Sequence, residues 1–435
     1  MKKIILAVVL LIMVSSASAD EKIILNISGA NFRRIPVAVP PFLSMDGKNG
    51  PLSKQFQKIL TWALSYTDLF DIIEESAYLV NPYKEGVKID EIQFDKWTAI
   101  GAELLIKGSY RIEGDKIVVE IRTYDPYQAK FIFGRRYKLK KSLMREAVYK
   151  FVNELLEEIT GKRGCFGSKI AFQYRQPGQK WKDIYVVDMD GRNLKRLTFY
   201  NRFAMFPDWS PDGKFMLFSA FLRSYPDLFI ADLRRGTIST LVRSNSQDVS
   251  GRFSPDGKYI AFSSTRSGNS EIYRVDRNGR NLIRLTFSPY IDVSPAWSPD
   301  GEQIVFVSNR AGNPNLYIMD SDGGNVRRLT TTGKYNASPD WSPDGNYIAF
   351  SKSLDGSRFD IYIIRPDGTD ERVVTDGIGS NEYPRWSPDG RYIVFSSNRD
   401  GRYQLYIVNV GSGKIWKVID LPGDAKEPSW SRVIY

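Results

Sequence analysis

One pentapeptide, repeated at a fixed interval, limits what this chain can fold into more than any other feature. Trp-Ser-Pro-Asp-Gly begins at Trp209, Trp297, Trp341 and Trp386, with a Phe-led copy at Phe253 and a degenerate Trp430-Ser431-Arg432. Successive starts lie 44, 44, 44, 45 and 44 residues apart. Self-similarity at such a period means that one supersecondary unit is stacked on copies of itself.

The unit from 297 to 330 shows the internal grammar. A turn at Ser298-Pro299-Asp300-Gly301 precedes a strand at 303–307, a polar turn, a strand at 316–320, the turn Ser321-Asp322-Gly323-Gly324 and a final strand at 326–330. With the strand leading into Trp297, that is four short strands joined by Gly, Asp, Asn and Pro turns. The middle strands are apolar on both faces and need cover on both sides, which stacked propeller blades supply. The second strand recurs at 169–172, 215–218, 259–262, 303–307, 347–350 and 392–395, so six blades are expected. The first unit starts at its second strand, and residues 427–431 form a lone first strand. The C-terminal segment is therefore expected to complete the first blade and close the ring.

Residues 20–163 carry no such period. A proline-punctuated strand is predicted at 36–42. An amphipathic helix is predicted over 52–66, with Leu52, Phe56, Ile59, Leu60 and Ala63 on one face. Alternating segments at 104–110 and 116–124 flank Glu113-Gly114-Asp115 as a hairpin, 130–139 extends the sheet, and a second helix over 142–160 stops at Gly161. The expected architecture is an α+β N-terminal domain at 20–163 followed by an all-β six-bladed propeller at 164–435, closed by its C-terminal strand.

The first 19 residues read as a cleavable export signal. Lys2 and Lys3 precede an apolar run at 4–14 and small residues at Ala17-Ser18-Ala19. That run is far shorter than the roughly 20 residues a membrane-spanning helix needs. Cleavage after Ala19 places the mature chain in the periplasm. The formal charge of +11 falls to +9 without the two signal lysines. Many of the remaining basic residues recur at fixed repeat positions on the outer strand, where charge guards an exposed edge. No nucleic-acid partner is expected, and contact with membranes only through other proteins.

Composition excludes whole classes of chemistry. The chain has no histidine and a single cysteine, Cys165. Ser-His-Asp and Cys-His catalysis are ruled out, as are imidazole-held metals and an intramolecular disulfide. No cofactor or metal is expected, and the protein is read as a binding protein with no enzymatic activity. Two alternatives stay open: a carboxylate-based periplasmic glycan hydrolase, which needs two converging carboxylates, and a small-ligand sensor propeller, which needs a deep pocket. The repeated Asp212, Asp256, Asp300, Asp344 and Asp389 are read as turn residues, and the repeated tryptophans as packing between blades. The loops before each first strand vary, at 202–206, 247–250, 290–294, 334–338 and 380–383. They should gather at one mouth of the channel, where aromatics among polar residues suit a protein-binding rim.

The chain also resembles the TolB family, the periplasmic component of the Tol–Pal system of Gram-negative bacteria. The likeness rests on residues 23–29 and 34–42, on Trp97 with Gly101-Ala102-Glu103 and Gly108, on the junction Thr160-Gly161-Lys162-Arg163-Gly164-Cys165-Phe166 with 169–172, and on the pentapeptides. It departs from the family at Ala147-Val148, where an Ala-His pair is common, and at Phe172-Gln173. The resemblance implies two partners and a role in outer-membrane integrity and its invagination during cell division. A Pal-like peptidoglycan-associated lipoprotein would sit on the propeller mouth, at Tyr290, Asp292, Ser294, Asn336, Ser338, Asn381 and Glu382. A TolA-like inner-membrane protein would engage the mature N-terminus, at Asp20, Glu21, Lys22, Ile23, Ile24 and Leu25. A monomer is expected.

Overall fold

The computed structural model describes residues 33–432. The export signal and the segment Asp20–Leu25 lie outside the described residues. In the N-terminal domain, strands Phe70–Ile72, Ile35–Ala38 and Leu104–Glu113 run parallel, and Lys116–Asp125 and Lys130–Lys140 add on as antiparallel hairpins. The first strand stops at Ala38, short of the predicted 36–42. Pro40 and Pro41 have no N–H to give a ladder. Helices Pro51–Tyr66 and Met144–Thr160 cover one face, burying Phe56, Leu60, Phe151, Val152 and Leu155 against Ile106, Val119 and Ile121. The second helix begins two residues later than predicted, after a 3-10 turn at Lys141–Leu143, and ends on Gly161 in the left-handed conformation (φ 71°).

The other face of that sheet is covered by residues 73–100, which the sequence pattern left unassigned. This segment is held by unique contacts. Lys107 Nζ donates to Glu85 Oε2 at 2.5 Å, Trp97 Nε1 donates to the same oxygen at 2.9 Å, and both charged side chains are buried. Burial pulls the Lys107 ammonium below its usual range against the opposing pull of Glu85.

The propeller has six four-stranded sheets. In the last, the C-terminal strand Asp424–Trp430 pairs antiparallel with Lys169–Arg175, which closes the ring. The chemistry of closure is the chemistry of every blade. The serine after each repeated aromatic residue accepts the backbone N–H five residues on, at the head of the second strand: Ser210 from Phe215, Ser254 from Tyr259, Ser298 from Gln303 and Ser342 from Tyr347, each at 2.9 Å, and Ser387 from Tyr392 at 3.0 Å. At the seam Ser431 accepts from Lys169 at 2.8 Å, across 262 residues of chain. The turn aspartates are held as turn residues, with Asp212 and Asp389 accepting from Ser210 and Ser387 at 2.7 and 2.6 Å.

The N-terminal domain docks on the face of the propeller that carries the pentapeptide turns. Arg145 binds Asp188 and Asp190 at 2.6 and 2.8 Å, and Arg391 donates to Thr160 Oγ1 at 2.6 Å. Between them Tyr66 meets Trp416, Tyr392 and Phe166 edge-on, with ring centroids 4.6, 5.4 and 5.7 Å apart. Cys165 is buried beside this aromatic seam, where burial pushes its thiol up. Each first strand runs from its preceding loop to its pentapeptide turn, so the mouth loops open on the opposite face.

Candidate functional site: the mouth of the propeller channel

The innermost strand of each blade carries a bulge two or three residues in, where pairing with the second strand slips register. The bulged residues are Phe206, Ser250, Ser294, Ser338, Tyr383 and Glu427, and all six have φ between 52° and 58°. A residue with a Cβ in this region costs on the order of 1 kcal/mol, so six in a ring mark a conformation the fold enforces. Five precede a proline, which is tolerated because an innermost strand leaves one edge unpaired toward the channel. Cross-blade hydrogen bonds pin the bulges: Ser294 N–H to Ser263 Oγ and Tyr383 N–H to Ser351 Oγ at 3.0 Å, and Phe206 N–H to Glu427 Oε2 at 2.8 Å.

All six bulged residues line one cavity of about 480 Å³. Its walls include Val293, Val307, Tyr335 and Phe359, and Arg252 and Arg385 also line it. Burial raises the Glu427 carboxyl to about 7, against its bond from the Phe206 N–H and the nearby Lys182, Lys426 and Arg252. Around the opening, Phe203, Phe287, Tyr290, Ile291, Tyr335 and Ile378 are exposed. A rigid, strained ring with an apolar collar can bind a macromolecule without reorganising.

The predicted site residues divide into two sets. Tyr290 stands on the rim, 46% exposed, and Ser294, Ser338 and Glu382 line the cavity. Asp292, Asn336 and Asn381 are fully buried inside their blades, so none of them offers surface to a partner. Asp292 Oδ2 accepts from Arg310 at 2.6 Å, Asn336 donates to Asn315 Oδ1 at 3.1 Å and to the Thr332 carbonyl at 3.0 Å, and Asn381 donates to Asp360 at 2.9 Å. They read as loop polars in the sequence because their partners come from other strands and loops of the blades. Glu382 accepts from Tyr403, from Ser380 at 3.0 Å and from Lys426 at 3.4 Å, and Lys426 sits 3.4 Å over the Tyr403 ring. Arg252, Arg385 and Phe359 line the cavity beyond the residues the sequence suggests. The two arginines stand two positions after the bulge, a register that emerges only when the first strands are aligned on their repeated aromatic residue.

Such a molecule, an α+β module seated on one face of a closed six-bladed propeller with a preformed mouth on the other, is a two-domain propeller protein. Residues 156–434 match the TolB beta propeller domain and residues 23–131 the TolB amino-terminal domain. The chain belongs to the TolB family. The Tol-Pal system protein TolB of Desulfosudis oleivorans is 34% identical over 228 residues, 52% of this chain and 51% of that one. The protein of the same name from Syntrophotalea carbinolica is 36% identical over 215 residues, 49% of each chain. The chain thus spans about half the length of the curated relatives it matches. The crystal structure of TolB from Acinetobacter baumannii superposes with a TM-score of 0.80 at 25% identity, covering 92% of this chain and 97% of that one.

Proposed function

We propose that this protein is a periplasmic protein-binding scaffold of the Tol–Pal system, with no catalytic activity of its own. The propeller mouth receives a Pal-like peptidoglycan-associated lipoprotein, and the mature N-terminus, Asp20 to Leu25, engages a TolA-like inner-membrane protein. By linking the two membranes the scaffold supports outer-membrane integrity and its invagination at division. The observation that carries the reading is the division of labour between the propeller's faces. The turn face is occupied by the N-terminal domain, while the mouth presents an exposed apolar collar around a preformed cavity. Contact then falls to Tyr290, Ser294, Ser338 and Glu382, with Asp292, Asn336 and Asn381 holding their loops from within.

Calorimetric titration of the chain from Asp20 with the soluble domain of the same organism's Pal-like lipoprotein tests this. Tyr290→Ala should weaken binding by about 1–2 kcal/mol, as truncation of an interface tyrosine does. Deleting residues 20–25 should abolish binding of the TolA-like domain and leave the mouth competent. Failure of the lipoprotein domain to bind at all would overturn the reading.

A further inference from the structure

Two positions beyond the bulge, the first strands carry Asp208, Arg252, Ala296, Asp340, Arg385 and Ser429 in ring order. The pattern acid, arginine, small residue is written twice round the channel. Each oxygen of both acids already accepts a hydrogen bond. Asp208 takes Arg252 Nη1 on one oxygen and the Phe253 N–H on the other, each at 3.0 Å. Asp340 takes Arg385 Nη1 at 3.1 Å and the Trp386 N–H at 2.8 Å.

The arginines are not spent. Among the described residues Arg252 uses only Nη1, leaving Nε and Nη2, and Arg385, whose Nε donates to the Pro428 carbonyl at 3.1 Å, leaves Nη2. Arg252 and Arg385 line the cavity, whereas Asp208 and Asp340 do not. Ser250, Ser294 and Ser338 stand above them and make no side-chain hydrogen bond among the described residues. The cavity thus holds more donors than its own acceptors use, in a volume typical of small-molecule sites.

We infer that the channel cavity is a carboxylate-binding site, in which Arg252 and Arg385 grip the anion and the serine hydroxyls complete its hydrogen bonds. A planar carboxylate matches a guanidinium fork, and the apolar walls at Val293, Val307 and Phe359 suit a carbon chain behind it. Two sources present this group: a free small acid, and an acidic side chain on a protein docked at the mouth. Glu427, facing Lys182, Lys426 and Arg252, and Asp340, facing Arg252, Arg385 and Asp208, oppose a bound anion when ionised. Burial raises both to about 7, so protonation toward pH 6 removes that opposition. Binding strengthens on acidification, with proton uptake.

The test titrates the chain from Asp20 with N-acetyl-L-glutamate, with N-acetyl-L-glutamine, and with inorganic phosphate, all at one ionic strength. Saturable binding of the acid is expected, at least about tenfold tighter than of the amide or phosphate, and tighter at pH 6 than at pH 8. Arg252→Lys keeps Asp208 paired and should keep the unfolding midpoint while weakening the acid about tenfold. Ser294→Tyr copies Tyr383, which holds the same bulge position in the blade led by Asn381–Trp386, and should fill the cavity, abolishing binding without touching a charge. Equal affinity for acid and amide, or binding unchanged in both variants, overturns the site. The soluble lipoprotein domain separates the sources. If it competes with the acid and is weakened by Arg252→Lys, the docked protein supplies the carboxylate. If it binds Arg252→Lys normally while the acid does not, the ligand is a free small acid. Should it bind while the acid never does, the docking reading stands and this inference falls.

Discussion

In the propeller one hydrogen bond, from an N–H at the head of the second strand to the serine after the repeated aromatic residue, is made six times, the last across 262 residues. In the N-terminal domain the buried pair of Lys107 and Glu85 is made once, and among the described residues nothing else in the domain repeats it. The first region distributes its stability over equivalent joints, yet a ring has no spare end, so losing its closing strand exposes two blade edges at once. The second region concentrates stability in a few buried contacts, so a single side chain can undo it. The largest expected effect follows from closure. Deleting the chain from Asp424 onward removes the partner of Lys169–Arg175 and the buried Trp430. Cooperative unfolding of the propeller should be lost, an effect on the scale of a domain's whole stability, about 5–15 kcal/mol. Denaturant unfolding followed by circular dichroism checks it, and a cooperative transition with an unshifted midpoint would show that the ring does not depend on closure.

Next in size is the unique pair. Lys107→Met leaves the Glu85 carboxylate buried without its cation, for a loss of about 3–5 kcal/mol. The double change with Glu85→Gln should recover much of that loss, because both charges are then gone. The propeller's transition should not move in either variant. A loss below about 1 kcal/mol from the single change would mean that water reaches the pair, and would erase the contrast between the two regions.

The same contrast governs what could be read from the sequence. The blades were legible because their determinants are local: each Ser-Pro-Asp-Gly turn closes within five residues, as Ser298 does with Gln303. The two helices were legible from their apolar stripes. Residues 73–100 were not, since what holds them is single and distant, Glu85 on Lys107 and the Tyr124 hydroxyl on the Val87 carbonyl at 2.5 Å. At the mouth, varying loops pointed to one end of the channel but not to which side chains face it. Asp292 and Asn381 look like exposed loop polars until Arg310 and Arg399, each 18 residues on, are folded back onto them. The alternation of Asp208, Arg252, Asp340 and Arg385 is spaced by whole blades, beyond any local pattern.

Glu427 tests the contrast at its finest grain, because it is a one-off side chain in a sixfold position. The other five bulges carry Phe, Ser, Ser, Ser and Tyr, so this blade alone places a carboxyl there. Burial raises it to about 7 in the folded chain, while an unfolded glutamate titrates near about 4.3. Below pH 4 the proton is bound in both states and the group is neutral to stability. Between pH 4 and 7 the folded chain holds a proton that the unfolded chain releases, so stability falls as pH rises, and above pH 7 the full cost persists. Gln at this position can still accept the Phe206 N–H but cannot ionise. Glu427→Gln should therefore leave the unfolding free energy nearly unchanged at pH 5 and raise it at pH 8, by on the order of 2 kcal/mol. A variant that tracks the parent at both pH values would mean that Lys182, Lys426 and Arg252 hold the carboxylate ionised, and that this blade has absorbed its exceptional residue into the common design.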